Sequence, residues 1–213
     1  MLSSSLARRI EIPLLPVLKK IKVSPNALTL AGFFITSAGA FVLANNFRVG
    51  GAIIVFGSIF DSLDGMVARA SGRTSLLGAY LDSVLDRYSD AFIFLGAAYH
   101  LRANPVAAAL SLGSLAGAYL VSYTRARAEG LGVECKVGIM ERPERIIILT
   151  AGAIFGFIIP ALWVLLVFTH ITAIQRILHT KKMMSGPQTV KTRPAVKIKS
   201  FPRKVNRERK ASE

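Results

Sequence analysis

From residue 27 onward the apolar positions come in six long runs separated by short polar or turn-forming links: about 27–45, 50–69, 78–101, 104–124, 145–159 and 161–179. A helix needs about 20 apolar residues to cross a bilayer core, so these runs predict membrane spans rather than strands or the narrow stripes of a soluble bundle. Runs five and six are parted only by Pro160, which predicts a tight turn there, and run five is short enough that its helix could start near Met140. Ser24-Pro25 reads as a helix N-cap with proline at the first helical position. Upstream, residues 1–23 interleave Arg8, Arg9, Lys19, Lys20 and Lys22 with Ile10, Leu14, Leu15, Leu18 and Ile21. That mixture predicts a helix lying in the membrane interface, interrupted by Pro13 and Pro16. No cleavable signal peptide is expected, because the first long apolar run begins only near Ala27. The expected fold is an all-α integral membrane protein: six transmembrane helices within 24–180, an N-terminal interfacial amphipathic helix over 1–23, and a tail over 181–213.

Charge sharpens this picture. The 213 residues carry 27 Lys plus Arg against 12 Asp plus Glu, yet 52% are apolar. Eleven of the bases and only two of the acids lie in 181–213, a segment that also holds Pro187, Pro194 and Pro202 and is expected to be disordered. A chain so divided is not a uniformly basic nucleic-acid binder. Arg and Lys fall mostly on one side of the predicted spans: the N-terminus, Arg69 and Arg73, the 125–145 loop and the tail. This arrangement predicts a multi-pass cell-membrane protein with both termini cytoplasmic and the tail drawn to anionic lipids. The single Cys135 excludes an intrachain disulfide, and the three histidines lack metal-ligand spacing. Two G-x-x-x-G pairs, Gly113/Gly117 and Gly152/Gly156, predict close helix packing within the chain or in a dimer.

Against this apolar background stand Asp61 and Asp64 near the end of run two, and Asp82, Asp86 and Asp90 in run three. Carboxylates in such segments are costly and mark function. Positions 61, 64, 65, 68 and 69 share one helix face, and positions 78, 82 and 86 share another. The short link 70–77 makes the two helices antiparallel neighbours, so the acidic faces meet near the cytoplasmic surface. Four carboxylates so close require counter-charge. An all-oxygen donor set suits Mg²⁺ or Mn²⁺ rather than Zn²⁺, and two such ions could hold a diphosphate for displacement at phosphorus. Gly65, Ala68 and Gly78 on the same faces leave room for a ligand to approach the backbone. Arg69 lies one turn beyond, where a guanidinium can take a phosphate. A carboxylate-lined cation transporter is the rival from another class, but ion transport does not require these small residues and this arginine at fixed spacing.

From Asp61 to Asp86 the chain reads D-x2-D-G-x2-A-R-x8-G-x3-D-x3-D, eight fixed positions in 26 residues. This resembles the signature of the CDP-alcohol phosphatidyltransferases, integral membrane enzymes of phospholipid synthesis. The resemblance covers 1–180 and leaves out the tail. It implies that a CDP-diacylglycerol-type lipid binds through its diphosphate to two divalent ions, that an alcohol attacks the lipid-side phosphorus, and that CMP leaves. By the same resemblance Asp61, Asp64, Asp82 and Asp86 are metal ligands, and Asp86 is also the general base. Gly65, Ala68, Arg69, Ser75 and Gly78 border the CDP-lipid, and Asn26 and Thr29 face the nucleotide. Thr29 also has a purely helical reading, a hydroxyl bonded back to the preceding turn. A homodimer is implied as well.

The acceptor side is sought in 120–145 and at the end of run six. Arg125, Lys136, Arg142, Arg145 and Arg176 can gather into a cationic pocket suited to a phosphate-bearing alcohol. The strings S-Y-x-x-A-R-A-E at 122–129 and G-x-x-E-R-P-E-R at 138–145 are similar to the branch of the family whose acceptor is inositol 1-phosphate. Glycerol 3-phosphate, giving phosphatidylglycerol phosphate, stays open as an acceptor because it too bears a phosphate. Anchoring of these arginines to anionic headgroups is a further reading of each one taken singly.

Overall fold

The computed structural model describes residues 23–72 and 74–185. The expected interfacial helix at 1–23, Arg73, and the basic tail from 186 onward lie outside the described residues, apart from Val23 itself. Within them the chain forms six helices: α1 (Pro25–Leu43), α2 (Phe47–Ala70), α3 (Leu76–His100), α4 (Pro105–Gly130), α5 (Arg142–Phe155) and α6 (Ile158–Met184). Four of these six starts have a side-chain cap. Ser24 Oγ accepts the Ala27 N–H at 3.3 Å, Asn46 Oδ1 that of Val49 at 3.2 Å, and Ser75 Oγ that of Gly78 at 2.9 Å. Asn104 caps α4 in the same way, with Pro105 in its first turn. These side chains satisfy N–H groups that a helix start otherwise leaves without partners.

Two boundaries differ from the expectation. The turn between the last two helices is made at Gly156, whose φ of 86° is left-handed, while Pro160 sits inside the first turn of α6. Glycine enters that conformation without a Cβ penalty, and proline is tolerated in a first turn, where its missing N–H costs nothing. At its other end α6 continues to Met184, so the last helix takes in the first residues assigned to the tail.

Four helices, α1, α2, α4 and α6, are long and apolar enough to cross a membrane. The 25-residue α3 has the length but carries Asp82, Asp86, Arg87 and Asp90. With 14 residues, α5 extends only about 21 Å at 1.5 Å per residue, short of the hydrocarbon thickness. Outward-facing Phe34, Phe41, Phe56, Leu95, Trp163 and Ile174 are exposed, a surface suited to lipid rather than water.

The core is assembled from small residues and satisfied hydroxyls. α1 packs on α2 and α3, α2 on α5, α3 on α4, and α4 and α5 on α6. A Cβ on Gly39 would lie 2.9 Å from Ile54 Cγ1, and one on Gly57 would lie 2.9 Å from the Thr36 backbone nitrogen. Of the two G-x-x-x-G pairs, Gly113 and Gly117 admit Leu166, Thr169 and His170 of α6, and Gly152 admits Ala161. These three glycines bring helices of one chain together. Where hydroxyls are buried, they donate across or along the bundle: Ser111 to Phe94 O at 2.8 Å, and Ser114 to Leu110 O at 2.8 Å and Leu162 O at 3.2 Å. Gly57→Val should lower the stability of the purified protein by about 1–3 kcal/mol through overpacking of α1 against α2, read as a lower unfolding midpoint.

Candidate functional site

The site forms where the C-terminal half of α2 and the N-terminal half of α3 converge. The two helices are not packed directly on each other as antiparallel neighbours, but both pack on α1 and bring their acidic side chains together beside it. Ser71 ends α2, Gly72 reverses the chain at a φ of 66°, and Ser75 starts α3. The turn is short, so the acidic faces are held together. Asp61, Asp64 and Asp82 each present a carboxylate oxygen within 4.8 Å of the other two. Asp64 is 5% exposed, and its buried Oδ2 has no hydrogen-bond partner. An orphaned buried acceptor facing two further carboxylates is unfavourable for protein alone. The donor set fits a hard divalent cation such as Mg²⁺ or Mn²⁺.

Beside this trio opens a cavity of about 220 Å³. Its lining includes Asn26, Thr29, Gly65, Ala68, Arg69, Ser75 and Gly78, all seven residues expected around the CDP-lipid, together with Asp64, Asp82, Thr74 and Ala79. The small residues have specific neighbours. A Cβ on Gly65 would lie 3.2 Å from Arg69 Nη1, and one on Gly78 would lie 3.1 Å from Asn26 Oδ1. Glycine at 65 therefore lets Arg69 fold back along its own helix, and glycine at 78 lets α1 approach the start of α3. Two hydroxyls also serve their helices: Thr29 Oγ1 donates to Pro25 O at 3.1 Å, and Ser75 Oγ is the cap of α3. Each keeps one further function for a ligand, Thr29 as acceptor and Ser75 as donor.

Asp86 lies one turn further along α3 and faces a second cavity of about 400 Å³, formed with α4, α5 and α6. Arg125, Arg142, Arg145 and Arg176 all line it. Lys136 is not among the lining residues. It is largely exposed and ion-paired with Glu134, and its ammonium holds that carboxyl below the usual carboxylate range. The cavity is also far less cationic than the arginines alone suggest. Besides those four and Arg87, its wall carries Asp86, Asp90, Glu129 and Glu141.

Each arginine is held differently. Arg176, 2% exposed, donates Nε to Val137 O at 2.8 Å and Nη1 to Val121 O at 2.6 Å, tying α6 to α4 and to the segment before α5. Arg145 is also 2% exposed and pairs with the equally buried Asp90 at 2.9 Å. Arg142 pairs with Asp61, lies 2.8 Å from Asp86 Oδ1, and approaches Asp90 at 3.6 Å. Arg125, the most exposed of the four, is held by Glu129 at 2.9 Å and Glu141 at 3.6 Å. The Asp90–Arg145 pair gives Asp90, which continues the acidic stripe of α3, a partner across the bundle. Ser83 and Arg87 were not singled out from the sequence. Their signal was present, since Ser83 stands three residues before Asp86 and Arg87 four after Ser83, next to the same face.

Known proteins resemble this chain in sequence and fold. The family model described as CDP-alcohol phosphatidyltransferase matches residues 22–180. An archaetidylinositol phosphate synthase of Methanothermobacter thermautotrophicus is 40% identical over 172 residues, covering 77% of this chain and 86% of that protein. A phosphatidylinositol phosphate synthase of Mycobacterium tuberculosis is 37% identical over 194 residues, covering 84% and 88%. The crystal structure of M. tuberculosis phosphatidylinositol phosphate synthase with CDP-DAG bound is similar at a TM-score of 0.70 and 32% identity, over 81% of this chain and 94% of that one. The same enzyme in complex with manganese and citrate gives 0.70 and 30%, over 82% and 88%. Every residue lining the two cavities falls inside the matched segment, with six of the eight signature positions lining the smaller cavity and Asp86 the larger: this chain belongs to the CDP-alcohol phosphatidyltransferase family of membrane enzymes.

Proposed function

We propose that the chain transfers the phosphatidyl group of CDP-diacylglycerol, or of an ether-lipid equivalent, to a hydroxyl of inositol 1-phosphate, giving phosphatidylinositol phosphate and CMP. The observation that carries this reading is the placement of Asp82 and Asp86. They stand one helical turn apart on α3, one lining the smaller cavity and the other the larger. A donor in the first and an acceptor in the second would meet at these carboxylates. The relatives named for inositol phosphate products support the choice of acceptor.

Asp61, Asp64 and Asp82 would hold a divalent cation, with Asp86 completing the set for two ions, Mg²⁺ or Mn²⁺. Bound there, the metal neutralises the diphosphate and makes its phosphorus more electrophilic. Arg69, Ser75, Asn26 and Thr29 would orient the CDP portion, while Gly65, Ala68 and Gly78 keep space for it. Asp86 would remove the proton from the acceptor hydroxyl. Its oxygen then attacks the lipid-side phosphorus, the phosphoanhydride bond breaks, and CMP departs. On the acceptor side Arg125 is the readiest phosphate ligand: its partners Glu129 and Glu141 can be exchanged for a phosphate, whereas Arg176 is engaged by backbone carbonyls. Arg145 and Arg176 would act from the buried wall, and Lys136, outside the lining, would take no part.

The same reading extends to the membrane. All six helices would lie within the bilayer, with α3 and the short α5 placing their charged ends at the cytoplasmic surface. The family domain would span 24–180, preceded by an interfacial segment and followed by a basic tail that attracts anionic lipid. Assembly as a homodimer belongs to this proposal too.

The reaction is tested by CMP release from CDP-diacylglycerol against inositol 1-phosphate, glycerol 3-phosphate, inositol and serine. Release with inositol 1-phosphate is expected. Preference for glycerol 3-phosphate would transfer the assignment to a phosphatidylglycerol-phosphate synthase, and ion flux without CMP release would favour a transporter. Asp86→Asn should lower turnover by roughly 10²–10⁴-fold, the usual contribution of a general base, and full activity in that variant would remove Asp86 from its role. Chelation of divalent ions should abolish CMP release, and Mg²⁺ or Mn²⁺ should restore it. Arg125→Ala should raise KM for inositol 1-phosphate by about 10–100-fold, the worth of a charge-assisted bond, with a smaller change in KM for the CDP-lipid. A chain ending at residue 185 should keep most of its activity.

A further inference from the structure

Arg142 is shared between two chemistries. Its guanidinium lines the larger cavity, yet it is paired with Asp61 of the carboxylate trio and lies 2.8 Å from Asp86. Both carboxylates meet the same nitrogen, Nη1, so the guanidinium cannot turn that edge to an acceptor phosphate without releasing them.

The network around Arg142 is also incompletely satisfied. Arg142 Nε, Asp86 Oδ1 and Asp90 Oδ1 are all buried without a hydrogen-bond partner of good geometry. The contrast with Arg176 is clear, since its Nε and Nη1 are both taken by backbone carbonyls at 2.8 and 2.6 Å. Arg176 is a fixed post. Arg142 is the first residue of α5 and follows a non-helical stretch, residues 133–141, and its guanidinium is held by carboxylates rather than by backbone carbonyls. Asp90 does not depend on it, because Arg145 already pairs with Asp90.

We infer that Arg142 is an exchangeable counter-ion coupling the metal site to the acceptor site. Its guanidinium and a divalent cation are alternatives for Asp61 and Asp86. When the cation takes these carboxylates, the guanidinium turns into the larger cavity and takes the phosphate of the acceptor. The acceptor phosphate, in turn, draws Arg142 off the carboxylates and favours the cation. Linkage requires the two effects to be equal. Arg142 is thus a positioning residue that couples the two sites, so that each ligand tightens the binding of the other. This rests on the proposed function and adds to it a coupling that metal binding and a cationic pocket do not by themselves require.

The test reads metal binding rather than turnover. Mn²⁺ affinity of the full chain in nanodiscs is measured from the paramagnetic resonance of free Mn²⁺, with protein-free blanks correcting for Mn²⁺ held by phosphate in solution. Arg142→Gln should bind Mn²⁺ on the order of tenfold more tightly than wild type, because a competing positive charge a few ångströms away is gone. Arg142→Lys should lie between, since it keeps the competing charge but as a more mobile ammonium on a flexible stem. In wild type, inositol 1-phosphate should tighten Mn²⁺ binding several-fold, and this coupling should vanish in Arg142→Gln. The wild-type measurement decides the matter even if the variants fail to fold. Weaker or unchanged Mn²⁺ binding in folded Arg142→Gln, or no effect of inositol 1-phosphate on wild type, overturns the inference. A wild-type chain that neither binds Mn²⁺ nor releases CMP would instead overturn the proposed function.

Discussion

The structure turns on the neutralisation of acid inside an apolar bundle. Asp61, Asp64, Asp82, Asp86 and Asp90 stand on two adjoining helices, and charges of one sign at such distances oppose the packing that brings them together. Arginines at the start of α5 answer part of this: Arg145 closes on Asp90, and Arg142 reaches Asp61 and Asp86. The trio at Asp61, Asp64 and Asp82 is left under-neutralised, with Asp64 Oδ2 buried and unpartnered. That residual imbalance suits the trio to a divalent cation more than to a structural salt-bridge core.

Around this centre the rest of the bundle holds the acidic faces in register. Gly39 and Gly57 let α1 and α2 approach, and Gly113, Gly117 and Gly152 do the same for the α4–α6 and α5–α6 contacts. In lipid, where burial of apolar surface gives no driving force between helices, such close contacts and interhelical hydrogen bonds take over that role. Arg176 shows the polar counterpart, fastening the segment before α5 to α4 and α6 through two backbone carbonyls. Packing and charge thus converge on the same few elements, and the two cavities are the space left between them.

The candidate site was largely legible because its geometry is local. Asp61, Asp64, Gly65, Ala68 and Arg69 share a face by helical period alone, and so do Gly78, Asp82 and Asp86. All seven residues expected around the CDP-lipid line one cavity for the same reason: short links bring α1, α2 and α3 together with little freedom. The second cavity was harder to read. Counting arginines suggested a strongly cationic pocket, but Glu129, Glu141, Asp86 and Asp90 share its walls. Lys136 stands outside its lining, paired with a neighbour two positions away.

Spacing alone determined the six helices among the described residues and the convergence of Asp61, Asp64 and Asp82, because periodicity and a short turn fix which side chains come near one another. It did not determine which base meets which acid. Arg142 and Asp61 are 81 positions apart, and Arg145 and Asp90 are 55 apart. It also misplaced the final turn, where Gly156 rather than Pro160 reverses the chain. Those outcomes were decided in the tertiary structure, because a guanidinium's partner depends on how helices distant in sequence cross and rotate. No local period encodes that.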